Sequence, residues 1–295
     1  GIMSASFGID HPLIATRDVA GLRNRLISLG FTMTPIGRHP RGTSTSLAMF
    51  RGCLIEIMGV YDEGLLNTHP AGDFRFGRHV HSHLQAREGV ALTALHSEDS
   101  RADADRAEAA GFTVAGHLEF GRDVTLPDGR QDRTKTTLAL MPDTQFPRLS
   151  FFLCQQHRPE LIYVPRWLEH PNTACGIAGV TIRAEARDRT ALRPRLERLY
   201  GPVRDVQGGF ETQTANGVMR VLTGAACEDL LGPLPDAVRA DPQPAIVGMD
   251  IKVRDMTVLA DHVAASGMAA RHEGGAVILG DPARTASVIL RFQTA

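Results

Sequence analysis

Apolar and polar positions along the chain repeat one pattern four times. A short apolar stretch rich in β-branched residues leads into an Asp, a segment of helical periodicity follows, and a Gly closes it beside an apolar residue. Asp18 and Gly30, Asp99 and Gly111, Asp188 and Gly201, and Asp255 and Gly267 are separated by 12, 12, 13 and 12 residues. An Asp side chain accepts hydrogen bonds from the free N–H groups of a first turn, and Gly adopts the left-handed conformation that ends a helix. The spacing therefore predicts a capped helix of about three turns each time. The preceding stretches, Ile9 to Ala15, Val90 to Leu95, Val180 to Ile182 and Ile246 to Val253, read as strands. Val19, Leu22, Leu26 and Leu29, and again Val258, Leu259, Val263 and Met268, give the helices one buried face. Alternating segments follow each Gly, such as Ser46 to Val60 and Thr136 to Leu153, and read as antiparallel strands under the helix. The unit is βαβββ.

The segments "GIDHPLIATRD", "SLGFTMTP", "GRHPRGTST" and "CLIEIMGV", with the later "LPDGRQD", "FFLCQQHRPELIYVPRW" and "HPNTACGIAGV", carry a family likeness. The chain resembles the glyoxalase-like branch of the vicinal oxygen chelate superfamily, which also holds bleomycin resistance proteins and extradiol dioxygenases. The motifs run from about residue 8 to residue 182, and beyond that only the module rhythm supports the likeness. The resemblance implies an α+β fold of four βαβββ modules paired into two curved, cup-like mixed sheets. An N-terminal unit is expected over 5–160 (modules 8–60 and 88–157) and a C-terminal unit over 170–295 (modules 176–224 and 245–293). The connection falls in the proline-rich stretch between Pro159 and Asn172.

A chain of 295 residues accommodates this plan. With 43% hydrophobic residues and no apolar run of the length a membrane span needs, no membrane partner is expected. No secretory signal pattern is visible, so a cytoplasmic location is expected. The net charge of -1, with basic residues dispersed, excludes a nucleic-acid binder. Cys53, Cys154, Cys175 and Cys227 show no metal-ligand spacing and read as packed thiols. No phosphate-cradling glycine loop and no GxSxG elbow occurs. Cup-like sheets leave exposed edges, so pairing between halves or into a homodimer is expected.

The chemistry is sought on the inward strand positions. Glu56 is the one charged residue in "CLIEIMGV", and a lone carboxylate in an apolar strand is costly to bury without a cation or a donor. His11 lies seven residues before Asp18 on the first strand. The resemblance places metal ligands on the first and last strands of the modules, which makes His11 and Glu56 ligands and His157, just beyond "FFLCQQ", the third. Imidazole and carboxylate suit Zn²⁺, Mn²⁺, Fe²⁺ or Ni²⁺ alike. Glu56 and His157 are the candidate catalytic groups. Arg38, His39 and Thr43, in a loop that also holds Arg41 and Gly42, are candidates for substrate binding together with Gln155. His79, His81 and His83 read as a solvated loop.

The pattern of an active metalloenzyme is incomplete. Counting seven back from Asp99 gives Leu92, and aligning "CLIE" with "FFLC" puts Cys154 where a second carboxylate would stand. Two functions therefore stay open. One is a metal-assisted isomerase, lyase or dioxygenase acting on vicinal oxygens. The other is a metal-free protein that binds or sequesters a small molecule.

Overall fold

The computed structural model describes residues 6–295; Ala5, where the N-terminal unit is taken to begin, lies outside the described residues. Two eight-stranded mixed sheets make up the fold, each with two βαβββ modules side by side. The first holds β1 (Ile9–Ala15), β2 (Gly37–Arg38), β3 (Thr43–Phe50), β4 (Cys53–Val60), β5 (Gly89–His96), β6 (Gly116–Phe120), β9 (Thr136–Met141) and β10 (Phe151–Gln156). Its order is β2-β3-β4-β1-β5-β10-β9-β6, while β7 (Asp123–Thr125) and β8 (Gln131–Arg133) form a separate hairpin. The second sheet repeats the plan as β12-β13-β14-β11-β15-β18-β17-β16. Its strands are β11 (Ala174–Arg183), β12 (Arg204–Val206), β13 (Gly209–Gln213), β14 (Val218–Leu222), β15 (Ala245–Val253), β16 (Ala270–Glu273), β17 (Ala276–Leu279) and β18 (Ile289–Thr294).

Three of the four expected Asp caps form. Asp18 accepts from Gly21 ahead of α1 (Val19–Ser28), Asp99 accepts from Ala102 ahead of α3 (Ser100–Ala109), and Asp255 accepts from Val258 ahead of α6 (Met256–Ser266). The third is corrected: α4 spans Ala186–Tyr200, so Asp188 lies inside its first turn. There its charge complements the helix dipole instead of capping. The closing glycines Gly30, Gly111, Gly201 and Gly267 all have positive φ, between 74° and 96°.

One apolar core joins the halves. Ile14, Ile57, Leu95 and Leu153 from the first sheet pack in one cluster with Ile177, Val180, Met249 and Phe292 from the second. The opposite, concave faces are filled separately. In the first cup, α2 (Phe76–Ala86) lays Phe76, Val80 and Leu84 against Leu13, Met58, Leu92, Leu138 and Phe152. The triple-histidine segment thus belongs to a helix and not to a solvated loop. His79 is buried, with Nε2 2.8 Å from the Ala91 carbonyl, and its ring lies 4.5 Å from that of His83. Burial pushes the His79 imidazole down to about 4. In the second cup, α5 (Gly224–Leu231) plays the same part with Cys227 and Leu231 against Val247, Ile278 and Ile289.

The prolines between the halves form two helical turns, Pro159–Ile162 and Pro165–Leu168, laid over Met49 and Leu54. Cys53, Cys154 and Cys227 are buried free thiols and Cys175 is half-buried.

Candidate functional site

Strand alternation turns His11 and Glu56 into the first cup. Leu13 and Met58, two residues on in each strand, pack in the concave cluster, while Ile57 packs in the shared core. β1 and β4 run parallel with Leu13 opposite Glu56, and His11 Nε2 lies 3.8 Å from Glu56 Oε1. The other imidazole nitrogen, Nδ1, is 2.6 Å from Asp10 Oδ1. An irregularity of register between Ile9 and His11 lets two consecutive side chains meet in this way.

Asp10 also reaches His96, at the end of β5, with Oδ2 3.6 Å from Nδ1, and His96 Nε2 lies 3.3 Å from Glu98. The result is a continuous chain Glu98–His96–Asp10–His11–Glu56. Burial opposes charging His11, but the Asp10 hydrogen bond and the charges of Asp10 and Glu56 outweigh it and raise its pKa above the usual value. Burial likewise opposes ionising Asp10, and the two imidazoles prevail and hold its pKa low.

At the mouth of the cup, the turn between β2 and β3 brings in Arg41. Its guanidinium lies 4.3 Å over the Phe76 ring and 5.7 Å from the centre of the Phe120 ring. Phe120 belongs to β6, the far edge of the same sheet, so the two edges of the curled sheet meet at this point. His39 contacts Phe120 too, with ring centres 6.3 Å apart. Deeper in, Phe76 stacks edge-on to Phe152, and Phe152 edge-on to His11.

Of the expected residues, His11 and Glu56 face each other, His39 and Thr43 share the turn that carries Arg41, and others lie apart. Gln155 accepts from the Ser100 amide and donates to the Glu98 carbonyl, which ties it to the start of α3. His157 is exposed, with Nε2 2.9 Å from the Thr137 hydroxyl. Arg38 is exposed and stacks on Tyr61. Asp10, His96 and Phe152 were not singled out as site residues by the sequence. The Asp-His dipeptide "DH" and the imidazole ending β5 were the available signals, and neither shows a contact between strands.

Two donors, His11 and Glu56, face each other in the cup, and among the described residues the second module adds none beside them. Glu56 stands opposite Leu13, the fifth residue before Asp18, and Phe152 stands opposite Ala94, the fifth before Asp99. The second module therefore offers Phe152 where a second carboxylate would stand, and Leu92 where a second His would stand. The register corrects the earlier alignment: Cys154 pairs with His96, and burial keeps its thiol protonated. The set His11, Glu56 and His157 is not assembled, and among the described residues no group of three His, Cys, Asp or Glu side chains is placed to hold a metal.

Among the described residues, the second cup carries no counterpart of His11. Arg220 of β14 and Arg291 of β18 flank Asp250 of β15, at 2.5 Å and 3.4 Å, and Glu211 extends the ladder at 3.9 Å from Arg220.

A glyoxalase-like domain model matches residues 9–200. No curated protein sequence matches the chain. Among solved structures, a hypothetical protein from Staphylococcus aureus superposes with a TM-score of 0.68 at 12% identity, covering 98% of this chain and 99% of that one. A mutant 4-hydroxymandelate synthase from Streptomyces coelicolor gives 0.59 at 11% identity, over 98% and 92%. A fusion of a xylose isomerase-like TIM barrel with a 4-hydroxyphenylpyruvate dioxygenase gives 0.54 at 12% identity, over 98% and 49%. At these identities the likeness is one of fold. With the family model spanning well over half the chain and the paired βαβββ modules in place, the protein belongs to the glyoxalase-like family of the vicinal oxygen chelate superfamily.

Proposed function

We propose that this protein binds a small organic molecule in its N-terminal cup without a resident divalent ion. The observation that carries this reading is the strand register, which sets Leu92 and Phe152 where a second pair of donors would stand. The groups around His11 are apolar and aromatic with a few oriented polar atoms, a lining that suits an organic molecule, and α2, which fills the cup, would have to shift for one to enter. His11 has one nitrogen on Asp10, which leaves Nε2 to face Glu56 and a ligand. A proton held there is available for sharing with a ligand oxygen.

A specific observation favours the alternative. His11 and Glu56 lie 3.8 Å apart on adjacent parallel strands, close enough to hold one ion between them, and a 4-hydroxyphenylpyruvate dioxygenase fusion protein shares the fold. Under that reading the ion would supply Lewis-acid stabilisation of an anion formed on a vicinal-oxygen substrate.

Elemental analysis of untagged protein beside the Glu56→Ala variant separates the two. The metal-free reading expects well under one equivalent of divalent metal in both proteins, even after incubation with Zn²⁺, Mn²⁺, Fe²⁺ or Ni²⁺ and desalting. One equivalent in the parent, lost in Glu56→Ala, would overturn it and restore the metal-assisted enzyme.

A further inference from the structure

The geometry points to an anion seat at the mouth of the N-terminal cup, formed by His39, Arg41 and Thr43, that takes the carboxylate of a small organic acid with an apolar body. This rests on the reading that the cup binds a small molecule, and it names the class of that molecule.

Three buried polar atoms in one five-residue stretch lack hydrogen-bond partners: His39 Nε2, Arg41 Nε and Thr43 Oγ1. Arg41 is only 7% exposed, and its Nε is buried with no described residue accepting a hydrogen bond from it. Burying a cation without an acceptor is costly. Elsewhere a buried guanidinium keeps acceptors on part of the group, although Arg87 Nη2 and Arg148 Nε are also without a partner. Arg87 donates to Asp241, Arg148 donates to the His83 and Arg87 carbonyls, and Arg183 donates to the Val238 and Asp241 carbonyls. Arg41, in contrast, has the ring faces of Phe76 and Phe120 against it and the charge of Glu56 nearby.

The turn that carries the three residues is firmly held. Gly42, at φ 87°, donates to the His39 carbonyl, and its own carbonyl accepts from Tyr61 and Asp62. Tyr61 Oη donates to the His39 carbonyl. The missing partner is therefore not explained by a loose loop. Burial lowers the Arg41 pKa to about 10, so the group stays charged at neutral pH. Burial and the Arg41 charge lower His39 to about 3, which keeps its imidazole neutral.

A guanidinium offers a planar fork that matches the two oxygens of a carboxylate, and a neutral imidazole and a hydroxyl can add contacts at its edges. A phosphate dianion fits less well, because a single cation faces it and Glu56 is near. Phe120, 37% exposed beside the Arg41 guanidinium, provides a surface for the apolar or aromatic body of the acid.

Calorimetric titration with benzoate, and with uncharged benzamide, on the parent, Arg41→Met and Arg41→Lys proteins tests this, together with melting of each protein without ligand. The parent is expected to bind benzoate at least tenfold more tightly than benzamide. Arg41→Met is expected to lose benzoate binding at least tenfold while melting at or above the parent temperature, because an unpartnered buried charge has been removed. Arg41→Lys should fall between. Equal binding of the two probes, benzoate binding unchanged in Arg41→Met, or no binding of either probe overturns the anion seat. Melting of Arg41→Met several degrees below the parent also overturns it, by assigning Arg41 to the fold. Equal binding of both probes leaves the small-molecule cup standing. No binding together with one equivalent of metal brings that reading down too.

Discussion

The guanidinium of Arg148, at 0% exposure in the N-terminal half, faces Asp241 of the C-terminal half, with Nε 3.5 Å from Oδ2. Arg87 reaches the same carboxylate oxygen at 3.1 Å. Two buried cations thus share one anion across the junction of the halves. Burial and the neighbouring Arg87 charge lower the Arg148 pKa to about 10, and Asp241 partly restores it. Breaking a buried pair from one side strands the other charge, at about 3 to 5 kcal/mol. Asp241→Asn is therefore expected to lower unfolding stability by about that amount in urea titration. A loss below about 1 kcal/mol would mean that the carbonyls around Arg148 suffice without the carboxylate.

The His11–Asp10 pair makes stability depend on pH in a definite direction. His11 has its native pKa raised above the ordinary imidazole value of 6.5, so folding is favoured by its protonation. That contribution is fully present below about pH 6.5 and is lost as pH rises through the native pKa. Asp10 has its pKa depressed, so its contribution is present above the ordinary carboxylate range and is lost in acid as pH falls through the native value. Asp10→Asn removes the main group that raises His11 and leaves burial opposed by the Glu56 charge alone among the groups named above. NMR titration of the His11 ring should give a value above 6.5 in the parent and a lower one in Asp10→Asn. An unchanged His11 titration in the variant would show that Asp10 does not govern it.

In the second cup, Asp250 is 1% exposed between Arg220 and Arg291. This ladder occupies the concave face where the first cup keeps His11 and Glu56, and it fits a structural role for the C-terminal half. Replacing Asp250 with Ala leaves two guanidiniums facing each other. A loss of roughly 3 kcal/mol is expected, at the low end for a buried pair because both Arg side chains reach solvent. Ligand binding in the first cup should stay within about twofold, since distant sites act independently. A large change in affinity would reveal coupling between the cups.

How much of this could be read from the sequence follows from the range of each interaction. Asp18, Asp99 and Asp255 cap helices through bonds three residues away, which spacing records directly. Asp188 misled because the nearby Glu185 carboxylate accepts from Gly224, far along the chain, while the helix itself starts at Ala186. The His79 to His83 run alternates like a strand, and only Phe76, Val80 and Leu84 at helical spacing reveal that it fills the cup. Glu56 was legible because a charge in an apolar strand stands out. The approach of His96 to Asp10, and of Phe120 to Arg41, depends on strand order and sheet curvature, which no local pattern encodes.

Gly42 and Gly52 give a matched pair that separates conformational strain from close approach. Both have positive φ, 87° and 83°, so Ala at either position incurs the left-handed penalty of about 1 to 2 kcal/mol. A Cβ on Gly52 would meet nothing within 4 Å, whereas a Cβ on Gly42 would lie 2.4 Å from the Asp62 carbonyl oxygen. That contact is with backbone, so it cannot be relieved by rotating a side chain. Relief must move the Tyr61 and Asp62 amides that bond to Gly42, or the turn that carries Arg41. Gly42→Ala is therefore expected to be less stable than Gly52→Ala by at least about 1 kcal/mol in urea titration. It should also weaken benzoate binding, while Gly52→Ala leaves binding unchanged. Equal stability losses, with benzoate affinity intact in both, would show that the Arg41 turn tolerates displacement and does not set the geometry of the cup mouth.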